Sequence, residues 1–390
     1  MPQELVDLAG AQPGHALRHH WTLEPSMHFL NHGSFGATPK YVLTAQDAWR
    51  ARLERQPVRF MSSELPDALR ATRERLAAFL ATSAERLALV ENATDAVNAV
   101  LRSFAWRSGD EIVLADHAYL AVRHTVSFLA QRHGLVVKLA QIPFPLSGGQ
   151  AITDAYCEAI TARTRLVIVD HIFSTLALQT PVADIVAFCQ PLGVRVLVDG
   201  AHAPGLLPLQ LDALGADWYT GNCHKWLLAP KGCAFLYASP TAAASLHPTV
   251  ISNFHEQGFP REFDWQGTRD YSGWLAIPAA LDFLGAFGIE RYRSVLCQQA
   301  SAAARLLSEH WQTALPAPME LFSAMVTLAL PGDPEASDEM ARRWHDRLWQ
   351  QHRIEVPVLA FKQRLWVRIS AQIYNELPDY EALARAVRPD

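Results

Sequence analysis

A mostly apolar, β-branched run (Val194, Val196, Leu197 and Val198) ends in Asp199, and this feature constrains the fold more than any other in the chain. Continuous runs of this kind, rich in β-branched residues, are typical of strands buried on both faces of a parallel sheet. Ligands of open α/β sheets bind at the carboxyl ends of such strands. The run therefore predicts an α/β fold with a carboxylate at its ligand-binding edge, where it needs a cationic partner.

A second segment, residues 220–225, supplies an amine for that edge. It ends in Lys225, one of only five lysines against 29 arginines, and its neighbours are small or apolar. A desolvated lysine loses its proton more readily and becomes a Schiff-base nucleophile. Pyridoxal 5′-phosphate (PLP) needs an amine for its aldehyde and an acid for its ring nitrogen. Asp199 and Lys225 together predict PLP; a surface lysine and a helix-capping acid are the alternatives.

The chain carries these segments within a longer series of short motifs, at residues 30–36, 91–94, 116–119, 198–203, 220–225, 267–270 and 368–370. In this order they resemble the class V aminotransferase family of fold-type I PLP-dependent enzymes, and within it the isopenicillin N epimerase-like branch. The resemblance implies a large α/β domain with a mostly parallel seven-stranded sheet. It also implies a smaller α+β C-terminal domain.

The hydrophobic pattern divides the chain in the same way. Short apolar strands alternate with longer helical patterns through the middle of the chain, which predicts a parallel sheet covered by helices. After Gly273, two long helices are predicted at 274–287 and 292–315, followed by strands at 325–330 and 365–370. We therefore expect an N-terminal segment over 1–44 that joins the small domain, a large PLP-binding domain over 45–270 and the small domain over 271–390.

Composition excludes several classes of partner. The net charge is −5 and no long basic run occurs, which argues against nucleic acid as a partner. Arginines 70, 73 and 75 alternate with apolar residues and predict a solvated helix face. No stretch of 18 apolar residues and no signal-peptide pattern is present, so we expect no membrane segment. The five cysteines are scattered and predict neither a disulfide framework nor a zinc site. We therefore expect a cytoplasmic location.

The resemblance assigns roles around the cofactor. Lys225 is the covalent attachment point and the proton shuttle, and Asp199 pairs with the ring nitrogen. His202 and Ser174 lie where relatives contact the ring hydroxyl; a core histidine is the alternative for His202. Phosphate-binding residues are predicted at the start of a helix, beside the lysine and in a later loop: Asn92, Ala93, Thr94, Asn222, His224, Gly267 and Thr268. Thr268 matches a residue that relatives donate across a homodimer interface. Simple N-capping competes for Asn92 and Thr94.

Other residues are predicted to cover the ring or hold the substrate. His117 is the first choice for stacking on the PLP face and for a catalytic role, with Tyr119 as the alternative. Arg368 lies on the strand face opposite the apolar one, and its family counterpart grips a substrate carboxylate; an unliganded exposed arginine is the alternative. Asn31 and His32 complete the predicted substrate site. Two neighbours of Ser174, Phe173 and Leu176, predict a more apolar pocket than the family has.

The reaction stays open at this stage. Epimerisation comes first, and it needs groups on both faces of Cα: Lys225, and His32, Tyr119 or Tyr271 opposite it. Carbon–sulfur β-elimination is the alternative, since Lys225 alone serves as base. The stretch before Arg368 has no cysteine, which argues against persulfide chemistry. The chain lacks both phosphate-loop fingerprints and a nucleophile-elbow motif, which argues against a nucleotide enzyme and a serine hydrolase. A non-catalytic PLP-fold module is the third rival, and the intact set of Lys225, Asp199 and Arg368 argues against it.

Overall fold

A computed structural model describes residues 2–332 and 336–387. Within them the strands are β1 (His28–Phe29), β2 (Leu87–Val90), β3 (Glu111–Ala115), β4 (Val136–Ala140), β5 (Thr164–Asp170), β6 (Arg195–Asp199), β7 (Trp218–Asn222), β8 (Ala234–Ala238), β9 (Met325–Ala329), β10 (Ile354–Glu355), β11 (Val358–Phe361) and β12 (Arg364–Ser370).

The helices connect these strands and cover the sheets. They are α1 (Gln3–Ala9), α2 (His32–Phe35), α3 (Lys40–Arg55), α4 (Pro57–Arg59), α5 (Leu65–Phe79), α6 (Ala93–Ser103), α7 (Leu120–His133), α8 (Gln150–Ala159), α9 (Val182–Cys189), α10 (Leu211–Leu214), α11 (Pro240–Ala243), α12 (Ser272–Leu275), α13 (Ile277–Phe287), α14 (Ile289–Trp311), α15 (Asp338–His352) and α16 (Leu377–Ala386). A π-helical turn, Phe60–Glu64, leads into α5, and a 3₁₀ turn spans Arg261–Asp264.

A seven-stranded sheet forms the centre of the molecule, in the order β2-β8-β7-β6-β5-β3-β4. Strands β7, β6, β5, β3 and β4 are parallel, and β8 is antiparallel to both of its neighbours. The central strands are buried nearly throughout, as their β-branched composition predicts for a sheet covered on both faces. The predicted mostly parallel α/β sheet is confirmed.

Two smaller sheets involve the C-terminal part of the chain. Strands β11, β12 and β9 form an antiparallel sheet in that order, and β1 pairs in parallel with β10. The second pairing ties the N-terminal segment to residues more than 300 positions away, at 354–355. It is the observation that supports the proposed grouping of 1–44 with the C-terminal domain. The domain boundaries themselves stay predictions.

Three sequence expectations about helices need correction. The helix predicted over 274–287 is divided at Ala276, because Pro278 in the first turn of α13 has no N–H to continue the ladder. The next helix ends at Trp311, where Gln312 adopts a left-handed conformation with φ of 55°. Arg73 is buried and pairs with Asp264, because its position in α5 lies on the apolar face of the helix.

No single helix among the described residues has the length and apolar character to cross a membrane. One bent pair, Ser272–Phe287 with Ile289–Trp311 at 74°, meets those criteria only when its two halves are taken together.

Candidate active site

A cavity of about 490 Å³ opens at the carboxyl ends of β5, β6 and β7, next to the first turn of α6. Its wall contains residues from the sheet edge, the α2 region and the loop after β7: Ser34, Phe35, Glu91, Asn92, Ala93, Thr94, Tyr119, Asp170, Ile172, Ser174, Asp199, Ala201, His202, Asn222, His224, Lys225, Lys231 and Gly232. Nine of the residues predicted to bind the cofactor from within one chain lie in this wall: Asn92, Ala93, Thr94, Ser174, Asp199, His202, Asn222, His224 and Lys225.

A hydrogen bond to its carbonyl fixes the backbone of Lys225, and burial desolvates its side chain. The ring of His32 donates from Nε2 to the Lys225 carbonyl at 3.1 Å. The Lys225 Nζ lies 3.2 Å from His202 Nε2. Burial, together with the positive charge of Arg368, lowers the pKa of Lys225 to about 7, although Asp199 opposes that shift. A substantial fraction of the amine is therefore unprotonated at neutral pH, as a Schiff-base nucleophile requires.

Gly36 brings the N-terminal segment against the lysine loop. Its φ is 72°, and a Cβ built there would lie 2.2 Å from the carbonyl oxygen of His224 and 3.0 Å from Cα of Lys225. Both contacts are with backbone, which has little freedom to move away. Only glycine therefore fits at this position without displacing the lysine.

Substituting Gly36→Ala is expected to lower the free energy of unfolding by about 1–3 kcal/mol, since left-handed strain and a backbone clash act together. Chemical denaturation measures this change. Gly10→Ala is the matched control, because its Cβ meets nothing within 4 Å and the backbone φ is −111°. Equal stability of the two variants would show that the lysine loop tolerates a side chain at 36.

Asp199 ends β6 and is 4% exposed. Its Oδ1 accepts the backbone N–H of Ala201 at 3.0 Å. Burial raises the pKa of this carboxyl, while the Ala201 bond and the charge of Lys225 oppose the rise. A cationic ring nitrogen placed against Asp199 would compensate its burial, which is the role that the sequence predicts.

The start of α6 offers backbone donors to an anion. Asn92 is the N-cap, and its side chain accepts the Asp95 N–H at 2.9 Å, so the capping interpretation holds. The Ala93 N–H donates to Asn222 Oδ1 at 2.9 Å, which joins the start of α6 to the end of β7. The helix N-terminus carries partial positive charge, so capping and phosphate binding are compatible here.

Arg368 is fully buried on β12, and its guanidinium contacts two serines of the cavity wall. Its guanidinium donates to the backbone carbonyl of Ser174, to Ser174 Oγ at 3.3 Å and to Ser34 Oγ at 3.0 Å. Burial lowers the pKa of Arg368 to about 10. Within the described part of the chain its buried Nε has no hydrogen-bond partner. A charged donor left unsatisfied beside a cavity fits an anionic ligand such as a carboxylate.

Several predicted residues lie outside the cavity wall. His117 packs edge-on against Phe361 at 5.3 Å between ring centroids, and it does not line the cavity, whereas Tyr119 does. His32 is fully buried, and the pKa of its ring is lowered to about 3 by that burial, so it holds Lys225 instead of contacting the cavity. The Asn31 amide donates to Glu355 Oε1 at 2.8 Å, behind Ser34.

Residues from the 267–271 loop are also absent from the wall of this chain's own cavity. Thr268 is exposed, and Gly267 has a φ of 104°. The hydroxyl of Tyr271 donates to the Gly267 carbonyl at 3.3 Å. The expected donation of Thr268 to a partner's phosphate site, and cofactor binding by Gly267, therefore stay predictions.

The pocket composition differs from the expectation at one segment. Phe173 and Leu176 are fully buried in the core, so they do not make the cavity apolar. Ile172 and Ser174 line it instead.

Sequence reasoning missed Asp170, which ends β5 directly beside Asp199 in the sheet register. It lines the cavity and is 3% exposed. Burial and the neighbouring Asp199 charge raise its pKa well above the ordinary range. The signal was present in the sequence, because the apolar run before Asp170 ends in an acid just as the run before Asp199 does.

These residues fit PLP. A desolvated amine, a strand-end carboxylate and a helix N-terminus converge on one cavity, and a buried guanidinium lies next to it. They supply what the aldehyde, the ring nitrogen, the phosphate and a substrate carboxylate require. The fold and the site define a fold-type I PLP-dependent enzyme.

Comparison with known proteins identifies the family. The sequence model of the family "Aminotransferase class-V" matches residues 36–338. An isopenicillin N epimerase of Streptomyces clavuligerus is 35% identical over 94% of this chain and 95% of that protein. An L-cysteine desulfhydrase of Arabidopsis thaliana is 33% identical over 92% of this chain and 86% of that protein. The chain belongs to the class V aminotransferase family, whose members depend on PLP.

A solved structure shares the fold. A variant of the lyase C-DES, with glycine covalently linked to the PLP cofactor, has a TM-score of 0.83. It is 22% identical and covers 96% of this chain and 99% of that chain.

Proposed function

We propose that this enzyme removes the α-proton of a small amino acid and expels a sulfur group from Cβ, as a carbon–sulfur lyase. The observation that carries the proposal is the position of Lys225 in the cavity wall, with its Nζ 3.2 Å from His202 Nε2. Burial there lowers its pKa to about 7. When bound, PLP withdraws electrons from Cα. Elimination then needs one base, and Lys225 supplies it.

Arg368 sets the orientation of the substrate. Its unsatisfied Nε and its serine-held guanidinium support binding of the α-carboxylate. A carboxylate fixed there on one side and Lys225 on the other would hold the α-hydrogen near the amine. Ser34 and Ser174 keep the guanidinium plane in place, so little side-chain freedom is lost on binding.

Epimerisation is the second candidate, and Tyr119 is the observation that favours it. Of the three groups considered for the opposite face of Cα, only Tyr119 lines the cavity. Tyr119 is 46% exposed, however. His32 and Tyr271 do not line the cavity. Elimination is favoured because it needs only the buried base Lys225, whereas epimerisation also needs the partly exposed Tyr119. The relatives include both an epimerase and desulfhydrases.

A single incubation separates the two reactions. The holoenzyme is given an L-amino-acid panel in deuterated water, and Cα exchange, chirality, keto acid and sulfide are followed together. A lyase releases keto acid and sulfide from L-cysteine with Tyr119→Phe close to wild type. Racemised amino acid without keto acid, lost in Tyr119→Phe, would assign epimerisation instead. Cα exchange without keto acid and without racemised amino acid would contradict both proposed reactions.

Replacing Arg368→Lys is expected to raise KM for the substrate at least tenfold, about 1.4 kcal/mol, because an ammonium lacks the planar fork. Steady-state kinetics measures this, and the cofactor spectrum should not change. Arg364→Lys is the control, since Arg364 is an exposed residue of the same strand. An unchanged KM would mean that the substrate carboxylate is held elsewhere, with Arg59 or Arg269 the next to test.

We also propose a homodimer with shared sites and a cytoplasmic location. The exposure of Thr268, away from its own cavity, supports donation to a partner's phosphate site. In a dilution series, cofactor release should then follow dissociation, and a monomer that retains PLP would contradict the shared site. Five free cysteines support a reducing compartment.

A further inference from the structure

A second polar cluster lies outside the active site, on the segment between β8 and α12. One ligand atom from each of His247, His255 and Glu262 lies within 4.8 Å of the others. His247 Nδ1 is 2.8 Å from Glu262 Oε2, and His255 Nδ1 is 3.8 Å from the same oxygen. All three atoms therefore face one point.

The carboxylate of this cluster is buried without a permanent cation. The Glu262 side chain is 2% exposed, and within the described ranges its ion-pair partners are the two histidines, with no lysine or arginine among them. Its other oxygen, Oε1, accepts the Gly258 N–H at 3.2 Å, which aims Oε2 at the imidazoles. Burial of an ionised carboxylate is costly unless positive charge is supplied. A metal ion supplies that charge without requiring protonated histidines.

The geometry matches zinc. A tetrahedral zinc ion with ligand bonds of about 2.0–2.2 Å separates neighbouring ligand atoms by about 3.3–3.6 Å. This range lies between the separations of 2.8 and 3.8 Å observed here. Two imidazoles and one carboxylate are a known zinc ligand set. Both histidines are partly exposed, which leaves access for the ion and for a water ligand.

We propose that His247, His255 and Glu262 form a structural Zn²⁺ site, independent of the proposed reaction. The site would fasten the 252–262 loop to α6. Ser103, the last residue of α6, accepts the His247 N–H at 2.9 Å and donates to its carbonyl at 3.2 Å. Thr249 donates to Asp95, in the first turn of the same helix, at 2.9 Å. Zinc would thus stiffen the support of the helix whose N-terminus lines the active-site cavity.

Titration of the chelator-treated, PLP-saturated enzyme with Zn²⁺ tests the proposal. We expect one equivalent bound per chain in calorimetry, and Co²⁺ should give visible bands typical of nitrogen and oxygen ligands without thiolate bands. His255→Gln should weaken binding at least tenfold. Zn²⁺ should also raise the melting temperature of the wild type, and not that of His255→Gln.

His133→Gln is the matched control, because His133 is an exposed histidine far from the cluster in α7. It should bind Zn²⁺ like the wild type. Glu262→Gln distinguishes Zn²⁺ bound at this cluster from Zn²⁺ bound by histidines elsewhere. This variant should lose the one equivalent of Zn²⁺ that the wild type binds. A wild type that binds no Zn²⁺, or a His255→Gln variant that binds it equally well, would leave only a hydrogen-bonded His–Glu pair and overturn the proposal.

Discussion

Lys225→Ala is expected to lower kcat by at least about 10²–10⁴-fold, because it removes both the proposed covalent attachment point and the proposed base at Cα. Borohydride reduction of the wild type should fix PLP on the peptide that contains Lys225, and mass spectrometry of the variant should show no label there. Folding can be verified separately by thermal denaturation.

Lys231→Ala is the matched control for this prediction. Lys231 also lines the cavity, and its Nζ donates to Thr38 Oγ1 at 3.2 Å. Burial lowers its pKa as well, so a desolvated lysine alone does not distinguish the two. We expect Lys231→Ala to retain the covalent label. If borohydride reduction fixed PLP on Lys231 of the wild type, the assignment of Lys225 would be wrong.

Asp199→Asn is expected to keep PLP bound while kcat falls roughly 10²–10³-fold, the range seen when an electrostatic stabiliser is removed from a reacting centre. A neutral amide cannot hold the proton on the ring nitrogen. The side chains are nearly equal in size, so the packing at the end of β6 should persist. Pre-steady-state kinetics with L-cysteine, and the visible spectrum of the cofactor, measure the two effects.

The control for Asp199→Asn is Asp212→Asn. Asp212 pairs with Arg86 near the surface, and its side chain is 40% exposed. We expect wild-type turnover in this variant. Near wild-type turnover in Asp199→Asn would reduce that acid to a structural role, with Asp170 as the next carboxylate to test.

Strand positions and the strand-end residues were predictable because the signals are local. Apolar, β-branched runs mark β3, β5 and β6, and the acid that ends a run occupies the ligand edge by the geometry of a parallel sheet. The start of α6 and the family resemblance predicted Asn92 and Asn222, and both line the cavity, where Asn92 accepts the Asp95 N–H and Asn222 accepts the Ala93 N–H. Period-two alternation separated Arg368 from Val367 and Ile369, but both faces of β12 are buried, so its substrate role stays a prediction.

Positions that depend on long-range packing were not predictable from such patterns. The sequence cannot show that His32 reaches across to the carbonyl of Lys225, 193 residues away, and so becomes a core residue. Nor does it show that His117 turns toward Phe361 on β11. The zinc-type cluster was missed for a related reason. His247, His255 and Glu262 follow no motif spacing, and a loop brings them together.

The contacts that hold Lys225 come from both ends of the chain. His32 binds the Lys225 carbonyl, Tyr292 donates to the carbonyl of Trp226 at 3.3 Å, and Gln372 donates to Tyr292 at 2.8 Å. Contacts over such sequence separations cost loop-closure entropy and require both ends of the chain to be in place. Capture of the cofactor by this lysine should therefore report completed folding, since a chain lacking either terminus would present the amine without its support.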